Sequence, residues 1–405
     1  MTNDQSPMTN VLLGKTLAEL QEVALSVGLP KFAGKQLAEW LYVCRVTNFD
    51  AMTNISLKGR EALKARYAVG RHAPVREAVS VDGTRKYLFE VNHQSPITNN
   101  QLPITNNQLP ITNHQFIESV YIPEDDRATL CVSSQAGCKM GCRFCMTGTL
   151  GFHGHLSAAD ILNQIFEIDR ISVCQSEGRS VSDNGLSVPR SVSSQSGLTN
   201  LVLMGEGEPM DNLDQVLRAL EIMTAPYGCA WSPKRITVST VGIPAMKRFL
   251  DESECHLAVS LHNPFAAERA AIMPAEKLMP AADVIALLKQ YDWSHQRRVS
   301  FEYICWSGQN DTPRHAKELL RLLKGLNCRI NLIRFHESVS PEDGLSARRS
   351  VLCQAKPVSF AASNEQQMIW FRDYLTDHGL TTTIRRSRGE DILAACGMLV
   401  NALQK

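Results

Sequence analysis

Apolar residues recur at three- and four-residue spacing between residues 15 and 70, in the segments TLAELQEVALSVGL, GKQLAEWLYVC and SLKGREALKARY. This spacing predicts amphipathic helices, and the Gly and Pro residues between the segments predict that the helices are short. The pattern then changes, because TRKYLFEV and FIESVYIP alternate apolar and polar residues as strands do. The sequence therefore predicts a small helical accessory domain in residues 1–80, followed by linker strands in residues 81–125.

From residue 126 onward, β-rich runs alternate with amphipathic helical runs. NLVLMGEGEP, RITVSTVG, HLAVSLHN and VSFEYICW predict strands, whereas SAADILNQIFEID and RHAKELLRLLKG predict helices. Repeated βα units imply a parallel sheet, and about six strands can be counted, fewer than the eight of a complete (β/α)₈ barrel. We therefore predict an α/β fold in which residues 126–400 form a partial (β/α)₆ barrel. In such folds, functional groups gather at the carboxyl ends of the strands.

Two segments of biased composition interrupt this pattern. PITNNQL is written nearly three times from Pro96 to residue 115, and residues 172–199 are rich in Ser. A Pro in each copy forbids a regular helix or a central strand, and the copies are too short to be units of a solenoid. Both segments are expected to be surface insertions without a chemical role.

The composition is that of a soluble globular protein, with 44% apolar and 20% charged residues. No run approaches the length of a membrane span, and the first residues lack the pattern of a secretory signal, so we expect a cytoplasmic protein. The net charge of +1 says little about partners. Residues 31–72, however, carry eight basic and three acidic residues, a cluster that suits either phosphate contacts or a solvated helical face.

Twelve cysteines in a cytoplasmic chain argue against a disulfide framework and for metal binding or thiol chemistry. Three of them, Cys138, Cys142 and Cys145, form the pattern C-x3-C-x2-C within CKMGCRFCMTG. Three thiolates at this spacing could bind zinc together with a distant fourth ligand, or three irons of a [4Fe–4S] cluster. The spacing alone does not decide between the two metals.

Three later strand ends carry polar side chains that could contact a ligand. LVLMGEGEP ends in a Gly-rich turn with Glu206 and Glu208, VSTVG carries Ser239, and VSLHNP carries Ser260 and His262. Glycine permits close approach of a ligand to the backbone, and a carboxylate can accept a hydrogen bond from an ammonium group. Each of these motifs is weak when it is taken alone.

Read together, the motifs are more specific. ESVYIPEDDRATLCVSSQAGCKMGCRFCMTG and the distant TTIRRSRGEDILAACGML resemble the radical S-adenosylmethionine (SAM) RNA methyltransferases of the RlmN/Cfr family, and the similarity extends from the N-terminal helices to Cys396. The resemblance implies that Cys138, Cys142 and Cys145 hold a [4Fe–4S] cluster whose fourth iron is left for SAM. The positions that match the family's SAM contacts are Gly207, Glu208, Ser239, Ser260, Leu261 and His262.

The resemblance also implies a mechanism with two further cysteines. Cys396 matches the cysteine that carries the methyl group, Cys131 the second catalytic cysteine, and Glu118 the proton acceptor. Adenine C2 is not nucleophilic, so a radical formed on the methyl group of Cys396 would have to add to the ring. A second thiol, Cys131, would then attack the Cys396 sulfur and release the RNA with formation of a disulfide.

The implied substrates are an adenine of 23S rRNA in the peptidyl transferase centre and the adenine 3′ of the anticodon in certain tRNAs. RNA binding is expected to draw on the basic helical domain and on Arg385, Arg386 and Arg388. A flavodoxin or ferredoxin is expected to supply electrons to a monomeric enzyme. The alternatives are methylation of adenine C8 by the same chemistry, and a non-catalytic zinc-dependent RNA-binding module.

Two positions depart from the commonest family pattern. Glu206 stands where the family usually has Met, and His336 stands where an Asn that binds SAM is usual. An imidazole can still donate one hydrogen bond, so the SAM role is carried over to His336. Residues 337–365 are also longer and more irregular than expected from the family.

Overall fold

The computed structural model of the chain describes residues 10–91, 115–176, 197–293, 298–336 and 360–399. The PITNNQL repeat, most of the Ser-rich segment and most of the irregular segment 337–365 lie outside the described residues. Among the residues that are described, every helix is too short or too polar to cross a membrane.

The N-terminal region forms the predicted group of short helices. They are α1 (Leu17–Ser26), α2 (Ala33–Ala38), which continues into a π-helical turn at Glu39–Val43, and α3 (Leu57–Lys64). The side chain of Thr16 caps α1 and its backbone N–H donates to Glu19, a capping box that fixes where the helix begins. Two short parallel strands, β1 (Asn10–Val11) and β2 (Tyr67–Ala68), join the two ends of this region.

In the described ranges, the remaining strands belong to a ten-stranded open sheet and a small hairpin. The sheet contains β3 (Arg76–Val79), β4 (Arg85–Val91), β5 (Gln115–Pro123), β6 (Ala128–Cys131), β9 (Asn200–Leu203), β10 (Ile236–Thr240), β11 (His256–Ser260), β12 (Val299–Cys305), β13 (Cys328–Arg334) and β14 (Thr382–Ile384). The hairpin contains β7 (Gln135–Gly137) and β8 (Phe152–His155). Within the sheet, β6 and β9 to β14 lie parallel in chain order, whereas β3, β4 and β5 extend the β6 edge in antiparallel fashion.

Helices connect the parallel strands, as the alternation in the sequence predicts. They are α4 (Met146–Leu150), α5 (Ala158–Ser176), α6 (Leu213–Thr224), α7 (Met246–Glu252), α8 (Ala266–Ile272), α9 (Ala281–Gln290), α10 (Pro313–Leu323) and α11 (Glu365–Asp377). The predicted partial barrel with an N-terminal helical region is thus confirmed. The pattern missed a seventh parallel strand, β14, because its three residues are too few to show a period.

The helical region and the barrel share one hydrophobic core, which runs from Leu12 through α1 and α2 to the buried face of α5. Arg45 pairs with Asp169 of α5, and Arg71 pairs with Glu167 of α5 at 2.6 Å. Both guanidinium groups also lie over the ring of Phe166. Two of the eight clustered basic residues therefore dock the helices on the barrel instead of forming a solvated or RNA-binding face. The domain boundary near residue 80 stays a prediction.

Candidate active site

The three cysteines of C-x3-C-x2-C lie in the loop between β7 and β8, whose last part is α4. Backbone hydrogen bonds fix the loop: Cys138 N–H donates to Gly151 at 2.9 Å, and Cys145 N–H donates to Cys142 at 3.1 Å. Gly137, which leads into the loop, has a φ of 69°, and a Cβ there would meet the Gly151 carbonyl oxygen. The sequence thus folds this segment into a tight loop that groups the three thiols.

The three thiols suit a metal cluster in which each thiolate binds a different metal ion. Burial raises the pKa of Cys138 to about 12 and also raises those of Cys142 and Cys145, and Cys145 adds to the shift of the other two. A metal centre would supply the positive charge that thiolates need here. Within the described ranges, no three His, Cys, Asp or Glu side chains are grouped as ligands of one metal ion. A [4Fe–4S] cluster does not require such convergence, because each thiolate binds a different iron.

A cavity of about 140 Å³, called here the cofactor cavity, opens beside these thiols. Its lining includes all three cysteines and five of the seven residues expected to contact SAM: Gly207, Glu208, Ser239, Ser260 and His262. These five come from the carboxyl ends of β9, β10 and β11, where a parallel sheet places its functional groups. Leu261 and His336 are absent from this lining: Leu261 is buried, and His336 lies in a second cavity.

The two glutamates of GEGEP have different roles in the structure. The carboxylate of Glu208 accepts from the backbone N–H of Met210 at 3.1 Å and of Val241 at 2.8 Å, so it ties the turn after β9 to the end of β10. Burial raises the pKa of Glu208 to about 7. Glu206 points elsewhere, since its carboxylate accepts from the backbone N–H of Glu118 at 2.8 Å and of Gly137 at 3.3 Å.

His262 presents one defined face to the cofactor cavity. Its Nδ1 accepts from the backbone N–H of Ile304 at 3.0 Å, which leaves the proton on Nε2. Burial, followed by the positive charge of Arg269, lowers the pKa of His262 to about 3, so the ring is neutral at physiological pH. His262 can therefore donate one hydrogen bond to a ligand without adding charge.

The second cavity, called here the basic cavity, has a volume of about 850 Å³ and lies along the inner face of the parallel strands. Seven cationic side chains contribute to its lining: Arg127, Lys234, Arg298, Arg329, Arg385, Arg386 and Arg388. Such a surface suits the phosphates of a nucleic acid.

His336 lines the basic cavity, where its Nε2 lies 2.8 Å from the Ser387 hydroxyl and its Nδ1 lies 3.5 Å from Glu390. Burial lowers the pKa of His336.

Five residues line both cavities and form what we call the junction. They are Met204, Glu302, Ile333, Arg385 and Cys396. Cys396 is exposed. The segment around it is anchored to the cysteine loop, because Met146 N–H donates to the Gly397 carbonyl at 2.8 Å. The pKa of Arg385 is raised, most strongly by the nearby Cys396 and less strongly by Glu302. One thiol thus faces the site of the three cysteines and the basic surface together.

The second predicted catalytic thiol lies next to this segment. Cys131 ends β6 and packs against a small apolar cluster of Val120, Ala394 and Leu399. Ala394 and Leu399 flank Cys396 in sequence. Burial and the neighbouring Cys396 raise the pKa of Cys131 to about 12. The structure therefore brings together two cysteines that are far apart in the chain.

Glu118 lies on the same face of the sheet as Cys131. Val120 pairs with Cys131 across β5 and β6, and Glu118 precedes Val120 by two residues, so the side chains of Glu118 and Cys131 share a face. The carboxylate of Glu118 is buried and lies 3.0 Å from the ammonium group of Lys86. Lys86 also donates to the Leu393 carbonyl at 3.4 Å, which connects Glu118 to the Cys396 segment.

Arg269 is a site residue that sequence reasoning missed. Its buried guanidinium donates to the carbonyls of Val241 at 2.7 Å, Ser260 at 3.0 Å and Leu261 at 3.0 Å, and it pairs with Glu276. It therefore fixes the carboxyl ends of β10 and β11, which line the cofactor cavity. AERAAI reads as an ordinary amphipathic helix, so the sequence carries no signal for this role.

Glu302 was also missed, although the sequence carries a signal for it: it is the charged residue in the otherwise uncharged run VSFEYIC.

The fold and the arrangement of thiols define a radical SAM methyltransferase. A solved structure of a radical SAM methyltransferase from Sphaerobacter thermophilus matches with a TM-score of 0.77 and 32% sequence identity, covering 96% of this chain and 99% of that one. Residues 9–69 match the family model described as "Ribosomal RNA large subunit methyltransferase N-terminal domain".

The particular family follows from curated relatives. A probable dual-specificity RNA methyltransferase RlmN of Bacteroides thetaiotaomicron is 50% identical over 97% of each chain, and the dual-specificity RNA methyltransferase RlmN of Syntrophobacter fumaroxidans is 36% identical over 95% of this chain and 96% of that one. The chain belongs to the RlmN family of RNA methyltransferases. It is an RNA methyltransferase of the radical SAM class, whose cofactors are a [4Fe–4S] cluster and SAM. This confirms the family expected from the motifs, against the alternative of a zinc-dependent module without catalysis.

Proposed function

We propose that the protein transfers a methyl group to C2 of an adenine in 23S rRNA and in certain tRNAs, with Cys396 as the methyl carrier. The observation that carries the proposal is the position of Cys396 at the junction, where it lines both the cofactor cavity and the basic cavity. A methyl carrier has to reach the cofactor first and the RNA base afterwards. The description of the matching family model names large-subunit ribosomal RNA, and the relatives' names speak of dual specificity. The resemblance of the motifs to the family implies tRNA as the second class of substrate.

The cofactors would be held by the residues that surround the cofactor cavity. Cys138, Cys142 and Cys145 would bind the cluster, while Gly207, Glu208, Ser239, Ser260 and His262 would contact SAM. When bound, these groups supply the methyl group and the radical that takes a hydrogen atom from it. A Cβ at Gly207 would lie 2.5 Å from the Gln135 side chain, so glycine at this position lets the turn pack closely against Gln135.

Side chains of the protein perform the remaining steps of the reaction. The methylene radical on Cys396 bonds to the ring carbon. That carbon then loses its hydrogen as a proton, and the adduct loses its unpaired electron, which the iron–sulfur centre would take up when bound, so the base is held covalently as a thioether. Cys131 then attacks the Cys396 sulfur: the sulfur–sulfur bond forms, the carbon–sulfur bond breaks with its electron pair going to the carbon, and that carbon takes a proton. We assign Glu118 as the acceptor of the proton that the ring carbon loses, because Glu118 shares a sheet face with Cys131. Reduction of the resulting disulfide prepares the next turnover.

Further assignments follow from this scheme. A flavodoxin or ferredoxin would supply the electrons, and the enzyme would act as a monomer in the cytoplasm. Residues 1–80 would form the accessory domain, 81–125 the linker strands and 126–400 the catalytic domain. Of the basic residues assigned to RNA, Arg386 and Arg388 line the basic cavity, and Arg385 lies at the junction.

The proposal is tested by anaerobic reaction of the reconstituted enzyme with deproteinised ribosomal RNA and with tRNA, followed by nucleoside analysis. We expect 2-methyladenosine from both RNAs. A product methylated at C8 would assign the chain to the related resistance chemistry, and absence of methylated adenosine would contradict the proposal altogether.

A further inference from the structure

The junction contains a buried carboxylate that the scheme above does not use. Glu302 lies on β12 with only 4% of its surface exposed, and it lines both cavities beside Cys396. It is flanked by Ser260 and Asn331 in the neighbouring strands, in the middle of the parallel sheet. A glutamate at this depth costs solvation energy unless something pairs with it. Its hydrogen bonds therefore indicate what the junction is built to bind.

One oxygen of this carboxylate is satisfied by the protein. Oε1 of Glu302 accepts from the side-chain amide of Asn331 at 2.7 Å, and the Asn331 oxygen accepts from the Thr383 hydroxyl at 2.9 Å. The second bond fixes the orientation of the Asn331 amide, because its oxygen is already turned toward Thr383. The Asn331 amino group is therefore directed at Glu302.

The other oxygen is not satisfied in the same way. Within the described part of the chain, Oε2 of Glu302 has no hydrogen-bond donor. The guanidinium of Arg385 lies 3.9 Å from it, which is too long for a hydrogen bond. The junction thus presents a carboxylate oxygen that can accept a hydrogen bond, and its other walls include the apolar side chains of Met204 and Ile333.

We propose that Glu302 recognises the target base, with Oε2 accepting a hydrogen bond from the exocyclic amino group of adenine. This inference rests on the proposed function, which brings a ring carbon of adenine to Cys396 in the same junction. The ring nitrogens of adenine accept hydrogen bonds, and its exocyclic amino group is the base's own donor. A lone carboxylate acceptor is complementary to that group, and the apolar side chains of Met204 and Ile333 suit the faces of a purine.

The experiment compares two synthetic RNAs that differ at one atom group. One carries adenosine at the target position, and the other carries purine riboside, which lacks the amino group. For the wild-type enzyme, kcat/KM and the affinity measured without reductant should both favour adenosine, with kcat/KM lower by at least about 100-fold for the purine RNA because a buried acceptor is left without its donor. Equal values for the two RNAs in the wild type would overturn the inference.

The decisive variant is Glu302→Gln, which keeps the size of the side chain. Asn331 still requires an oxygen acceptor, so the glutamine oxygen faces Asn331 and the glutamine amino group faces the junction. There, a hydrogen-bond donor of the protein would meet the amino group of adenine, which is also a donor. The preference for adenosine should therefore disappear, and the ratio of kcat/KM should fall to about one or below. Glu302→Ala should also remove the preference by removing the acceptor.

Two controls separate this role from others. Glu124→Gln makes the same change in the basic cavity away from the junction, and its preference for adenosine should match that of the wild type. The affinity for SAM should be equal in wild type and Glu302→Gln; a loss of SAM affinity with an unchanged preference for adenosine would show that Glu302 serves the cofactor instead. Methylation of the adenosine RNA by the wild type tests the proposed function, whereas the ratio between the two RNAs tests the inference.

Discussion

At the scale of single residues, the account depends on two thiols with different tasks. Cys396 should form the bond to RNA, and Cys131 should break it. In Cys131→Ala, addition should proceed and release should stop, so a covalent protein–RNA adduct should accumulate and appear as a shifted band after denaturing electrophoresis. Cys328→Ala, which removes a buried thiol from the amino end of β13, is the matched control and should show no adduct. Normal turnover by Cys131→Ala would remove Cys131 from the mechanism.

Glu208 should make SAM binding depend on pH. Burial raises its pKa to about 7, so the carboxylate is ionised above that pH and neutral below it. The ionised form accepts hydrogen bonds and attracts the ammonium group of SAM, so affinity should rise as the pH increases through about 7. Calorimetric titration of the cluster-loaded enzyme between mildly acidic and mildly basic pH measures this. Glu208→Gln should bind SAM with a flat pH profile, and an unchanged profile would exclude Glu208 as its origin.

Glu206 shows how a single side chain can replace part of a β-ladder. Strand β6 ends at Cys131, so the backbone N–H of Glu118 beyond that point has lost its strand partner and donates to Glu206. The other carboxylate oxygen accepts from Gly137, next to Cys138. Glu206 thus holds the strand of Glu118 against the cysteine loop.

Glu206→Met, which restores the residue usual in the family, removes both acceptors. We expect the free energy of unfolding of the apoprotein to fall by about 1–3 kcal/mol, since buried donors are left without partners. Chemical denaturation measures the loss. Stability equal to that of the wild type would show that other groups take over both donors.

At the scale of secondary-structure elements, the helices α1 to α3 are held to α5 by buried ion pairs. Arg71→Ala should lower the free energy of unfolding by about 3–5 kcal/mol, because it leaves the buried carboxylate of Glu167 without that partner. Lys35→Ala removes the same charge from an exposed position and should change stability by no more than about 0.5 kcal/mol. If urea denaturation gave the same change for both variants, the docking role of Arg71 would be wrong.

The repeat between β4 and β5 should be dispensable. Val91 and Gln115 pair directly across these antiparallel strands, so the chain enters and leaves this connection at neighbouring points. Deletion of residues 95–114 leaves three residues to close a hairpin, a common length for such loops. Thermal unfolding and methylation rate should stay close to those of the full chain, and a large loss of either would give the repeat a role.

The elements also show what could be predicted from the sequence and what could not. Strands such as VSFEYIC and helices such as RHAKELLRLLKG carry a strong period, and the glycines and acidic groups of GEGEP mark a strand end. The roles of Arg45 and Arg71 were not predictable, because composition alone cannot distinguish a cation that is exposed from one that is paired across an interface. The same limit hid Arg269, whose three carbonyl partners come from two different strands.

At the scale of the whole molecule, the central feature is the meeting of two cavities at one thiol. The cofactor cavity is built by strand ends and the cysteine loop, and the basic cavity by the inner face of the sheet and the segment after β14. Cys396 is brought to their junction by a segment that anchors to the cysteine loop through Gly397 and to β5 through Leu399. Cys396 could be predicted as a catalytic residue only through the resemblance to the family. It lies far from the other thiols in sequence, so no local motif indicates its role.

The most direct test of the account is peptide mass spectrometry of Cys396 in protein produced with cluster assembly and SAM available. We predict that the peptide containing Cys396 carries the added mass of one methylene group, the difference between a thiol and its methyl thioether, and that the Cys138→Ala variant, which lacks a cluster ligand, does not. A peptide that is never modified in active, cluster-loaded protein would contradict the account.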